Sequence, residues 1–79
     1  MNVKLLFFGA TADAVGKREV EISFSRPVNV DAAFTEILEK FPSLKSHKLL
    51  FARNQEYIKG DEMIVEGDEL AVFTVVSGG

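Results

Sequence analysis

Between Val30 and Phe41 the apolar residues switch from strand spacing to helix spacing, the only place in the chain where they do so for more than two turns. Val30, Ala33, Phe34, Ile37, Leu38 and Phe41 recur every three or four positions and form one apolar stripe. Asn29 or Asp31 can cap the start, Glu36 and Lys40 stand four apart on the polar side, and Pro42 closes the end. A lone amphipathic helix has no second helix to pack on. It needs a sheet, and the flanking segments must supply it.

They do read as strands. "VKLLFF" (residues 3–8) is apolar on both faces apart from Lys4, which predicts a strand inside a sheet. "GATADAVGKR" interrupts the pattern at Gly9 and Gly16, as a short helical turn or a wide connection. "EVEISF" alternates strictly, with Val20, Ile22 and Phe24 on one face and Glu19, Glu21 and Ser23 on the other, so it pairs with the first strand and leaves one face wet. "KLLFARN" and "EYIK" are short strand candidates joined by a tight turn at Asn54 and Gln55. Gly-Asp-Glu occurs at 60–62 and again at 67–69 and reads as two turns, with a carboxylate metal site as the alternative. "ELAVFTVV" (69–76) is again apolar on both faces and predicts a central strand beside the first. The expected architecture is α+β: a mixed sheet with one main helix on one face, in a single domain over 1–79.

Composition removes several functional classes. The chain has 79 residues and no cysteine, hence no disulfide, no thiolate metal ligand and no side chain able to hold a persulfide or a thioester. Its one histidine, His47, lies in the polar stretch "SLKSHK" and receives no role. Twelve acidic against nine basic residues give a net charge of −3, with the basic residues scattered, which argues against nucleic acid as the partner. The opening "MNVKLLFFGATADA" has a basic residue, an apolar run and small residues, as a signal peptide does, but its apolar core spans only residues 5–8. No stretch approaches the roughly 18 apolar residues of a membrane span, so the expectation is a soluble, cytoplasmic protein.

The sequence ends "AVFTVVSGG", two glycines directly after strand formers. Glycine weakens a strand interior, so the pair marks where the sheet stops. With the first and last strands as neighbours, residues 75–79 are expected to project from the sheet end as an extended tail. A tail without side chains is either idle or a thread for another protein's narrow site.

At this point the chain resembles a known family. Its strand and helix order is similar to the ubiquitin-like β-grasp fold. Nearly its whole length resembles the MoaD/ThiS sulfur carriers, most of all the branch that serves molybdopterin synthase as its small subunit. The resemblance rests on "VKLLFFG", "AVGKREVEI", "EKFPSL", "ARNQEYI", "EGDELAVF" and the final "VSGG", in that order and spacing. Thr74 and Val75 stand where the molybdopterin branch often has two prolines, and "GATAD" where it often has a basic residue, so a thiazole-forming, ThiS-like carrier remains an alternative. A ubiquitin-like protein modifier and a plain interaction module are the others.

The resemblance implies a non-catalytic, sulfur-donating subunit. Gly79 would carry the activated group, first an acyl-adenylate and then a thiocarboxylate. Gly78 would be the slender approach, and Ser77, Val76 and Val75 would lie along a partner's groove. The implied partners are a MoaE-like large subunit, two copies of each in a heterotetramer, an ATP-dependent MoeB-like activating enzyme and a sulfur donor. No cofactor is expected on the carrier itself, because the activating enzyme uses the ATP. Side chains for acid–base work would come from the partner.

Overall fold

The computed structural model describes residues 1–56 and 60–74. Four strands, β1 (Asn2–Phe7), β2 (Glu19–Ser23), β3 (Leu49–Arg53) and β4 (Glu69–Thr74), form one mixed sheet in the order β2-β1-β4-β3. β1 runs antiparallel to β2 and parallel to β4, and β4 runs antiparallel to β3. The first and last strands are therefore the central pair, as expected. The interruption after β1 is a short helix, α1 (Ala10–Val15), entered through Gly9 at φ 58° and left through Gly16 at φ 80°. Both glycines adopt left-handed backbone that a Cβ would disfavour.

The main helix, α2 (Val30–Lys40), is capped by Asn29, whose Oδ1 accepts from the Ala32 N–H at 2.8 Å. Pro42 ends it by opening a 3-10 helix, Pro42–Ser46, which buries Leu44 completely. The polar stretch gave little sign of this anchor. The helix stripe of Val30, Ala33, Phe34 and Ile37 joins Val3, Leu5, Phe7, Ile22, Leu70 and Val72 of the sheet in one core. Phe34 stacks on Phe51 with centroids 3.8 Å apart, and Phe7 meets Phe41 edge to face. Glu36 reaches back to Arg26 at 3.3 Å rather than on to Lys40, because the loop before α2 brings a guanidinium across its polar face.

One expectation changes. β1 is central yet not buried on both faces: Val3, Leu5 and Phe7 are buried, while Asn2 and Lys4 are exposed and Leu6 is half-buried. The helices cover one face only, so the second set of apolar residues lies on an open surface. The turn at Asn54 and Gln55 forms as expected, with φ of 51° and 69° and a bridge from Arg53 to Glu56, the geometry of a primed hairpin turn. Of the expected strand "EYIK" (56–59), Glu56 forms that bridge and residues 57–59 lie outside the described residues.

The second Gly-Asp-Glu is a turn with Gly67 at φ 84°, but Asp68 does more than bond its own loop. Its carboxylate is buried and accepts from Arg53 Nε at 2.7 Å, Asn54 Nδ2 at 3.1 Å and the Val65 N–H at 2.8 Å, tying the β3 hairpin to the segment before β4. Burial pushes its carboxyl up, but the Val65 N–H, Arg53 and Asn54 outweigh that and hold it below the ordinary 3.8. A carboxylate with a lowered folded pKa stabilises the fold above its ordinary value and stops doing so as pH falls through the folded one. The melting temperature is therefore expected to drop on acidification below about pH 4, and the drop to shrink in Asp68→Asn, as thermal melts across that range will test. Asp68→Ala leaves Arg53 without its counter-ion and is expected to cost about 3 kcal/mol.

Candidate functional site: an open apolar face beside the C-terminal strand end

Side chains alternate across a strand, so each strand that feeds the core also presents residues to the uncovered side. β1 presents Leu6 there, and Phe8 follows in the same sense. β4 presents Ala71 and Phe73, and β3 presents Leu50 and Ala52, directly opposite Phe73 and Ala71 in the register. All but Leu50 line a shallow depression on this face, bounded by Gln55 and Glu69. Phe8 is 48% exposed and meets Phe73 edge to face, with centroids 6.0 Å apart. An aromatic pair placed in water is costly unless something covers it.

The depression runs to the end of β4. There the Phe8 N–H extends the ladder past β1 by donating to the Val72 carbonyl at 3.1 Å, and Thr74, opposite Leu49, is the last residue of the strand. Val75, Val76, Ser77, Gly78 and Gly79, the residues singled out from the sequence, follow immediately and lie outside the described residues. The sequence singles out these five residues as a tail, and marks "LLFF" and "AVFTVV", apolar at both parities, as strands that need cover on both sides.

The site holds no charge-relay chemistry of its own. His47 is exposed, the chain has no cysteine, and among the described residues no group of three or more His, Asp or Glu side chains could hold a metal ion. No helix among them is long and apolar enough to cross a membrane. The arrangement can bind an apolar partner surface and deliver whatever follows β4 to it.

Known proteins resemble this chain in sequence and fold. The ThiS family model matches residues 5–79. The molybdopterin synthase sulfur carrier subunit of Caenorhabditis elegans is 36% identical over 83 residues, covering 100% of this chain and 99% of the relative. Small archaeal modifier protein 1 of Haloferax volcanii superposes with a TM-score of 0.82 at 25% identity, over 95% of this chain and 98% of that one. A chain from the complex of subunits 1 and 2 of the Helicobacter pylori molybdopterin-converting factor has the same fold, with a TM-score of 0.71 at 23% identity and full coverage of both chains.

Proposed function

The chain belongs to the ThiS family, and from that premise we propose that it is the sulfur carrier subunit of a molybdopterin synthase. The observation that supports this most is the relative of that name, which matches the chain from end to end, together with a family match that runs to Gly79 itself.

The chemistry follows from the terminus. An α-carboxyl has a pKa of about 3.3–3.7, so at neutral pH it is an anion and a poor electrophile. An activating enzyme lets it attack the α-phosphorus of ATP, which releases pyrophosphate and leaves an acyl-adenylate on Gly79. A sulfur nucleophile from a donor displaces AMP. The product is a thiocarboxylate, softer and more nucleophilic than the carboxylate it replaces. Within the large subunit its sulfur attacks the pterin precursor to form a thioester, and water cleaves the acyl C–S bond, leaving sulfur on the pterin and Gly79 as a carboxylate again. Two glycines let the backbone enter a channel too narrow for Cβ atoms, while residues 75–77 add backbone hydrogen bonds along the approach. The open apolar face docks on the large subunit, with acid and base side chains coming from that partner. This division suits a chain with no cysteine and one exposed histidine. We place it in the cytoplasm, with no cofactor of its own.

Likeness to a small archaeal modifier supports a second reading, attachment to protein lysines through the same terminus. Intact mass of the protein purified from a cell that makes molybdenum cofactor distinguishes the two. A carrier is expected to carry sulfur in place of one oxygen, a modifier to appear in higher-mass conjugates, and an unaltered mass counts against both.

A further inference from the structure

Thr11 is fully buried, and the sulfur chemistry gives it no part. It lies in the first turn of α1, and its Oγ1–H points at two carbonyls, Phe8 at 2.7 Å and Val72 at 3.0 Å. Each of these oxygens already has a backbone donor: the Thr11 N–H reaches Phe8 at 3.2 Å and the Phe8 N–H reaches Val72 at 3.1 Å. The hydroxyl is therefore not required to satisfy either one. What it adds is a link among α1, the end of β1 and the end of β4, at the place where the two central strands stop. Phe8 joins the two halves of the site, because its ring belongs to the docking face and its carbonyl is held by Thr11. Val72 is two residues from the end of β4, beyond which the sequence runs into 75–79.

We propose that Thr11 is a positioning residue for the reactive terminus: it fixes the end of β4, the strand from which that terminus continues in sequence, against Phe8 and α1. The proposal rests on the sulfur-carrier reading. Docking supplies affinity through the open face, and the reacting carboxylate must then arrive correctly placed. The Val72 bond acts on the second requirement, while the Phe8 carbonyl keeps the Thr11 N–H as donor without the hydroxyl, so the docking ring stays anchored.

Thr11→Val keeps the shape and removes the hydroxyl, whereas Thr11→Ser keeps the hydroxyl. Steady-state adenylation by the activating enzyme at varied carrier concentration is expected to show about a tenfold lower kcat for the valine variant with KM little changed, and near-normal kcat for the serine variant. Amide exchange at the Phe8 N–H should quicken in the valine variant only. Wild-type kcat in Thr11→Val overturns the proposal. So does parallel loss in both variants that tracks their melting temperatures, which marks Thr11 as purely structural. A wild-type chain that the enzyme does not adenylate removes the carrier reading and this inference with it, whereas failure of the valine variant to differ removes this inference alone.

Discussion

Deletion of Gly79 is expected to reduce sulfur transfer by more than about 100-fold while the melting temperature stays at the wild-type value. One residue of extended chain spans about 3.5 Å, so the deletion withdraws the carboxylate from its attacking position by more than the 1 Å that already costs about 100-fold in a well-fitted site. Adding a residue after Gly79 overshoots by the same distance and should fail equally. Gly78→Val should fail for a different reason, since a β-branched side chain needs width and stiffens the backbone. A chain terminus carries little packing energy unless it is tied down. Adenylation followed by product formation with the large subunit, alongside thermal melting, is the measurement. Full activity of the deletion would falsify the carrier assignment.

Phe8→Asp is expected to weaken the complex with the large subunit by about 30- to 1,000-fold, equivalent to about 2–4 kcal/mol. Phe8 is 48% exposed in the isolated chain and lines the depression on the open face, where a covering partner would exclude water. An aspartate there would bring an unpaired charge into that dry contact. Because the ring lies outside the core, the fold should lose only about 1 kcal/mol. Titration calorimetry with the large subunit measures the affinity, and melting controls for stability. An unchanged Kd would move the docking surface elsewhere on the molecule.

These two experiments probe features that were unequally legible in the sequence. The helix was plain because its period is local: the stripe from Val30 to Phe41, the Asn29 cap and the Pro42 stop all act within a few residues. The central position of β1 and β4 followed from their apolar content, since a strand with two apolar faces must be protected somewhere. Which protection it receives is a tertiary fact. One layer of helix cannot cover both sides of a sheet, and Leu6, Phe8 and Phe73 lie on the side away from it. Asp68 read as a turn residue because its role depends on Arg53 and Asn54, 15 and 14 positions away. Thr11 gave no signal at all among the small residues of "GATAD", since its second acceptor is 61 residues distant.

The parallel pairing of β1 with β4 has a consequence for how the protein is made. β1 is made before its partner β4, with β2, α2 and β3 between them in sequence, so the centre of the sheet must wait until β4 has been made. Until then Leu5 and Phe7 have no Leu70 or Val72 beside them, and β1 has a bare edge open to unwanted pairing. A message cut short before β4 gives a chain that cannot complete its core. Without Leu70 and Val72 such a chain is left unfolded and exposed to proteolysis.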